Sequence, residues 1–362
     1  MKAIGILAGI GTLLREAQEA GLEVGGNFET RAPYRITSSV WQKNFPLAPL
    51  ITVENNGLGI TLGEDPLMEA DIALGHPPCG SHSVLGVAHS LDLPAEVRAA
   101  MAEARSKRMG LLPQFIEHVR IYQPKCFALD NLPKILQKVA TPDWWQAALP
   151  EYRMTFIIMK NWDYGTPQIR QRLWVIGMRR PFKRFVFTEP RTRLEGPKTA
   201  WAAIRDLPWE PWVDDPARAH VHLPPDGLPF GSYPTLDQPP QYTTDNVALA
   251  QGYLSLPPMY CWPYRTRTTD RITKKLGRVR LKIDAHSRVV SGGTLQHPIT
   301  AWTMTARERA RLMDWPDDFW LGDETTKYDR PYQARLTLFT GKAVPSRFPR
   351  YLLPQLIKHL KR

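Results

Sequence analysis

The sequence predicts an α/β protein: a mostly parallel sheet covered by helices on both faces, with a smaller, irregular region inserted before the chain returns to the sheet layer. Two observations predict this. Short apolar runs alternate with helical patterns from residue 3 to about residue 190, the grammar of successive βαβ units. From 207 to 263 prolines crowd the chain and periodicity fades, and the α/β spacing resumes near Thr305. The expected boundaries are therefore 1–189, an inserted domain at 190–295, and 296–362 returning to the first.

The elements follow in order. "AIGILA" at 3–8 reads as a buried strand, and Leu13–Ala20 as a helix stopped by Gly21, a residue that readily ends helices. "EVGGNFE", "LITVE" at 50–54 and "ADIALG" at 70–75 read as further strands. A long helical stretch is expected over roughly 95–121, then a strand at "KCFALD" and a helix opening over Leu132–Lys138. "RMTFIIM" and "RLWVIGM" are two more strands, and helices are expected from about Thr305 and after Pro345. No internal repeat is visible.

Composition bounds the function. The chain has 362 residues, 43% hydrophobic and 23% charged, as an ordinary soluble protein has. No apolar run is long enough to span a bilayer. The N-terminal "MKAIGILAGIGTLLREAQ" turns amphipathic at once and reads as a strand and helix, not a signal peptide. Cys79, Cys126 and Cys261 form no CxxC pair, which argues against a zinc site or a disulfide framework and suits a reducing cytoplasm. No metal is expected. Lys and Arg number 47 against 35 acidic residues, a net charge of +12. Such a surplus points to a polyanion, and nucleic acid is the usual candidate. It is concentrated in "RTRTTDRITKKLGRVRLK", residues 265–282, with eight Lys/Arg and one acid.

Several short stretches could carry chemistry. "ILAGIG" at 6–11 is a strand running into a glycine turn and then a helix, where a ligand can approach backbone N–H groups. Glu29 follows at the end of the second strand, about twenty residues on, where a carboxylate can accept hydrogen bonds from a ribose; a solvated strand end fits the spacing equally well. In "GHPPCGSHS", residues 75–83, two prolines stiffen the loop that presents Cys79 after a buried strand. Asp130 lies at the next strand end. In "PQIRQR", Gln168, Arg170 and Arg172 recur with period two, which places them on one face of an extended segment as an array of donors.

Taken together these stretches resemble the DNA (cytosine-5)-methyltransferase family, from residue 4 to about 358, with the middle region unmatched. "LAGIG" resembles the family's cofactor loop, "HPPC" its Pro-Cys nucleophile loop and "LDNL" its Glu-Asn-Val motif. "PQIRQR" matches Gln-x-Arg-x-Arg in full. "MTARERARLMDWPDDF" is similar to the family's Thr-x-Arg-Glu-x-Ala-Arg-Leu segment, and "GKAVP" to its Gly-Asn-x-Val turn. Six motifs in family order make the resemblance specific.

The resemblance implies a Rossmann-like S-adenosylmethionine-dependent methyltransferase fold. Residues 1–189 with 296–362 would form the catalytic and cofactor-binding domain, and 190–295 the target-recognition domain. It implies that a cytosine is flipped out of duplex DNA and that the Cys79 thiolate adds to C6. Asp130 would hydrogen-bond N3, and Arg170 and Arg172 would hold the base and its phosphate. Leu7, Gly9, Gly11, Thr12, Glu29, Glu54, Pro78, Lys342 and Ala343 fall at cofactor positions. Gln168, Ser83, Arg278, Arg280 and Lys282 fall among the base and DNA contacts. Double-stranded DNA is the expected partner, and the chain is expected to act as a monomer in the cytoplasm, with no membrane.

The chain departs from the family pattern at several places. Leu7 replaces a Phe that packs on adenine, Thr12 a glycine, Gly80 a Gln and His82 a Phe. Asp130 replaces a Glu one methylene longer, and Lys342 replaces the Asn of the Gly-Asn turn. A degenerate DNA-binding relative and a retuned pocket are the two readings. The retention of Cys79, Gln168, Arg170, Arg172 and Glu29 favours the second. A lysine at position 342 would bring a positive charge toward the sulfonium of S-adenosylmethionine, and at about 5 Å and an effective dielectric of 20 that repulsion is about 3 kcal/mol. The expectation is therefore that the chain can use carboxy-S-adenosylmethionine, with Lys342 paired to its carboxylate, to make 5-carboxymethylcytosine. Ordinary methyl transfer is the alternative, and an RNA cytosine methyltransferase on the same fold remains open.

Overall fold

The structure is a computed structural model, and it describes residues 1–30, 35–53, 69–77, 111–138, 140–190, 199–207, 279–280, 286–287, 290, 295–296, 304–322, 332, 336, 339–341 and 343–362. The chain divides into two compact units. The first comprises Met1–Tyr164, Gln171–Leu194 and Ala343–Arg362, and the second Gly165–Arg170 and Glu195–Lys342.

The first unit is built on a seven-stranded sheet. In chain order its strands are β1 (Lys2–Ile6), β2 (Glu23–Glu29), β3 (Leu50–Thr52), β4 (Ile72–Gly75), β5 (Cys126–Asn131), β6 (Tyr152–Lys160) and β7 (Gln171–Arg179), and their spatial order is β3-β2-β1-β4-β5-β7-β6. All pairs are parallel except those of β7, which runs antiparallel between β5 and β6. Strand order reverses between β1 and β4, so their carboxyl ends open a crevice of the kind in which α/β sheets bind ligands.

Helices cover both faces, as the apolar runs predict. Alternate residues of β1 show why. Ile4 and Ile6 share a core cluster with Leu111, Phe115, Phe127 and Trp145, which come from α3 (Leu111–Tyr122), β5 and α5 (Pro142–Ala148). Gly5 faces the other way, where an added Cβ would lie 2.6 Å from Leu14 of α1 (Thr12–Glu19). α8 (Arg347–Leu360) packs beside α1, and Arg350 Nε donates to the buried carboxylate of Glu16 at 2.9 Å. On β7, Gly177 leaves room for the ring of Phe127, its cross-strand partner on β5.

The strands lie where the sequence predicts, within a few residues at each end. Three helices were not anticipated: α2 (Arg35–Asn44), α5 and α6 (Ala200–Ile204). α2 buries Ile36, Val40 and Trp41, an i, i+4, i+5 stripe hidden in a run of β-branched and polar residues. α5 is capped by Thr141, whose hydroxyl accepts from Trp144 N. The helix expected over Leu132–Lys138 begins at Ile135, as α4 (Ile135–Lys138). The long helix expected over 95–121 is described as α3 from Leu111 onward, and its earlier part lies outside the described residues.

The second unit contains α6, α7 (Ala306–Leu312) and a parallel pair of two-residue strands, β8 (Val279–Arg280) and β9 (Leu295–Gln296). α7 starts near Thr305 as expected, and Thr305 caps it. Its hydroxyl accepts from Glu308 N at 3.2 Å and Glu308 Oε2 accepts from Thr305 N at 2.7 Å, a reciprocal capping box. Arg311 of α7 reaches Asp206, just beyond α6, at 3.2 Å. Among the described residues no helix is long and apolar enough to cross a membrane.

Candidate active site

The turn after β1 is shaped by its glycines. Gly9 and Gly11 have φ of 64° and 93°, values that cost most L-residues energy. At Gly11 an added Cβ would lie 2.5 Å from Phe45 and 2.9 Å from Trp41 of α2, so helix packing also demands glycine there. At Gly9 a Cβ would meet nothing within 4 Å among the described residues. The turn is stapled by β2. Asn27 Oδ1 accepts from Ala8 N at 3.3 Å and Asn27 Nδ2 donates to Gly9 O at 3.2 Å, while Glu29 Oε2 accepts from Gly9 N at 3.0 Å. Sequence reasoning singled out Glu29 and missed Asn27. The other carboxylate oxygen of Glu29, Oε1, accepts from Thr30 N at 3.0 Å.

Two more residues expected at a cofactor meet here. Thr12, the first residue of α1, donates its hydroxyl to Val344 O at 3.4 Å, which sets Ala343 and Val344 beside the start of the helix. Leu7 has φ of 57° and is buried in the core with Phe28 and Leu111. Its side chain therefore packs the sheet.

A second cluster sits at the carboxyl ends of β4 and β5. The Asp130 carboxylate accepts from Arg172 Nε at 2.9 and 3.0 Å and from Arg172 Nη2 at 2.5 Å. Asp130 lies opposite Trp174 in the β5–β7 ladder, so Arg172, two residues along, is its diagonal neighbour on the same face. His76, one residue beyond β4, joins them: its Nδ1 lies 3.0 Å from Asp130 Oδ2 and 3.2 Å from Asp130 O. Burial alone would push the Asp130 carboxyl up, but the Arg172 charge and the hydrogen bonds from His76 and Arg172 outweigh it and hold the group well below the usual carboxylate range. Asn131 completes the junction, donating from Nδ2 to Pro77 O at 3.3 Å. It thereby fixes the backbone just before "PC". His76 and Asn131 were not among the expected site residues.

Gln168, Arg170 and Arg172 are buried, and the intervening Ile169 and Gln171 are exposed, as a period of two requires. Their partners differ. Arg172 belongs to the Asp130 cluster in the first unit. In the second unit Gln168 Nε2 donates to Leu312 O at 3.1 Å and its Oε1 accepts from Val290 N at 3.0 Å. Arg170 Nη1 donates to Gly341 O at 3.3 Å. The glutamine thus anchors its segment to the end of α7, and the first arginine to the glycine of the GKAVP turn.

Glu54, Pro78, Cys79, Ser83, Arg278, Lys282 and Lys342 lie outside the described residues; Arg280 lies in β8. Cys126 is fully buried in β5, and burial pushes its thiol far up, which makes it inert. Among the described residues no group of His, Cys, Asp and Glu is placed to hold a metal ion.

This sheet order, with the glycine turn after β1, defines a Rossmann-like α/β fold of the methyltransferase type. The chain belongs to the C-5 cytosine-specific DNA methylase family, which it matches over residues 1–358. M.DdeI of Desulfomicrobium norvegicum is 29% identical over 150 residues, 39% of this chain and 33% of that protein. M.AquIA of a Picosynechococcus species is 28% identical over 135 residues, 34% of this chain and 49% of that one. The match therefore spans a third to a half of the length of these two type II methyltransferases. A prophage-encoded E. coli protein assigned as a DNA modification methyltransferase shares the fold over 100% of both chains, with a TM-score of 0.61 at 21% identity.

Proposed function

We propose that this chain transfers a methyl group from S-adenosylmethionine to C5 of a flipped-out cytosine in double-stranded DNA. The observation that carries the reading is the Asp130–Arg172 pair at the carboxyl end of the sheet, joined to the exit of the strand that leads into "PPC". The residues present fit the cofactor. Gly9, the N-terminus of α1 at Thr12, the Glu29 carboxylate and the turn at Ala343 would hold it, with Gly11 shaping the turn and Glu54, Pro78 and Lys342 supplied by resemblance. When bound it would supply an electrophilic methyl carbon.

The chain's own residues do the rest. Cys79 adds to C6 as a thiolate, stiffened in place by Pro77 and Pro78. Arg172 and its carboxylate partner hold the pyrimidine edge, where fixed charge in a closed site is worth several kcal/mol. Arg170 holds the target phosphate, and Gln168 and Ser83 lie with the DNA contacts. The basic run with Arg278, Arg280 and Lys282, in a target-recognition domain over 190–295, contacts phosphates and positions the duplex. The carboxymethyl expectation rests on Lys342 alone, whereas the matched relatives carry the name methyltransferase. Methyl is therefore the group assigned here, and carboxymethyl becomes an outcome of the test.

The test is mass spectrometry of nucleosides from mixed-sequence duplex DNA incubated with the protein and both cofactors. 5-Methylcytosine is expected, and it should vanish in Cys79→Ser, since a hydroxyl is far less nucleophilic than a thiolate. A 5-carboxymethylcytosine product that Lys342→Asn converts to methyl would restore the other reading. Modified RNA with unmodified DNA would move the substrate to RNA, and no modified base in either would sink the enzyme assignment.

A further inference from the structure

The edge of the sheet that lies away from Asp130 and Arg172 carries a block of cations without carboxylate partners. β5 and β6 begin at this edge and β7 ends there: Met178 pairs with Cys126, and Arg179 with Tyr152. The chain then turns through Arg180, Lys183 and Arg184, all exposed. The end of α8 adds Lys358 and, just beyond it, Lys361 and Arg362, exposed as well. Lys358 and Lys361 are three residues apart, which sets them on one face.

The two stretches are fastened together. His359 Nε2 lies 3.0 Å from Lys183 O, and its ring stands edge-on to that of the buried Phe185, with centroids 5.7 Å apart. Arg153 of β6 donates from Nη1 to Phe182 O at 2.6 Å and to Pro181 O at 3.3 Å. Arg179 N donates to Lys125 O at 2.9 Å, and Arg180 N to Glu151 O at 2.8 Å. The cations therefore project from a backbone that the sheet and α8 hold in place.

Their lack of partners is local to this block. Elsewhere in the first unit cations sit with acids: Lys2 with Glu23 at 3.6 Å, Lys125 with Asp71 at 2.6 Å, Arg15 with Glu19 and Arg350 with Glu16 at 2.9 Å. Among the described residues Arg180, Lys183, Arg184, Lys358, Lys361 and Arg362 form no ion pair. The exposed Glu151 offsets one charge at most. The dipole of α8 favours cations in its last turn, which accounts for Lys358. It does not account for Arg180, Lys183 and Arg184, which lie on no helix. Like charges gathered this way repel one another, and a polyanion is the partner that reverses the sign.

We propose that this block is a second DNA-holding surface, which grips the phosphates of a further duplex segment while the opposite edge of the sheet works on a cytosine. The choice of duplex DNA among polyanions rests on the substrate proposed above. β7 runs the whole way from Arg172 to Arg179, about 24 Å at about 3.4 Å per residue, so the two edges meet different stretches of DNA. Lysines and arginines on a turn and a helix end reach phosphates, which position a duplex and carry no sequence information. The grip is therefore indifferent to sequence.

The experiment counts duplexes bound per protein by sedimentation of the full chain with an excess of a fluorescent duplex of about 12 base pairs. Low salt is used, where non-specific contacts are tightest. Wild type should carry two duplexes. The fourfold variant Arg180→Gln, Lys183→Gln, Arg184→Gln and Lys358→Gln should carry one, with its urea midpoint and cofactor affinity unchanged. Arg180→Lys with Arg184→Lys keeps the charge and should still carry two. Each Gln change made singly should lower the salt slope of the second binding step by about 0.9, a readout that decides the matter if the fourfold variant does not fold. One duplex on wild type, or two on the fourfold variant, overturns the proposal. Loss of both duplexes from the variant overturns it too, since the block would then belong to the first DNA site. RNA or anionic lipid vesicles held at this edge in place of duplex DNA would assign it to that partner instead. If no modified cytosine forms with any substrate, the cytosine-5 reading fails, while the number of duplexes bound still decides this inference.

Discussion

Arg172 closes on both carboxylate oxygens of Asp130 at 2.5–3.0 Å in a setting where neither residue keeps more than 1% of its surface. A buried pair of this kind is defined less by what it adds than by what its breakage leaves behind: removing one partner strands a charge in low dielectric.

Arg172→Met should therefore destabilise the first unit by about 3–5 kcal/mol. A urea titration should show a lower midpoint with little change in slope. The double change Arg172→Met with Asp130→Leu should recover most of the loss, because no uncompensated charge remains. A double variant as unstable as the single one would mean that packing, and not charge, holds the junction.

The same pair sets an acid limit. The Asp130 carboxyl titrates lower in the folded protein than in the unfolded chain, so the unfolded state binds its proton first as pH falls. The stabilisation is complete above the ordinary carboxylate value of about 4 and is lost below it, towards the depressed folded value. Urea midpoints measured at neutral pH and at successively lower pH should fall steeply through that window. In Asp130→Asn the fall should be shallower, and equal slopes would remove Asp130 from the account.

The two glycines of the first turn should separate stability from binding. Gly11→Ala meets both a φ of 93° and the rings of Phe45 and Trp41, and strain of this type costs about 1–3 kcal/mol, visible in unfolding. Gly9→Ala would meet nothing at its Cβ among the described residues. It should cost less stability and lower S-adenosylmethionine affinity more, as read by calorimetry. The reverse order would mean that no ligand approaches Gly9.

Neutralising Arg278, Arg280 and Lys282 together should weaken DNA binding and lower the steepness of its salt dependence, since each lost phosphate contact reduces the slope by about 0.9. Cofactor affinity should be unchanged. An unaltered slope would make this run a solvated surface.

The sequence by itself determined the α/β class, the places of the strands, the glycine turn with its acid twenty residues on, the helix near Thr305 and six motifs in family order. These are local signals. A period of two, a turn glycine or a cap residue is fixed by backbone geometry over a few residues, and so it can be read along the chain. Tertiary structure alone decided who touches whom. Asp130 and Arg172 were each singled out, but their pairing follows from the antiparallel insertion of β7 beside β5, which no local pattern encodes. His76 passed as part of a proline loop because its partner lies 54 residues away and is brought to it by parallel register. Asn27 passed as a strand residue because its task, holding Ala8 and Gly9, exists once β2 lies against β1. Leu7, read as a cofactor contact, is buried among core residues at a positive φ, a packing that only the assembled layer shows. A hydrogen bond across a sheet depends on register and strand order, and those are set by the packing of the whole layer.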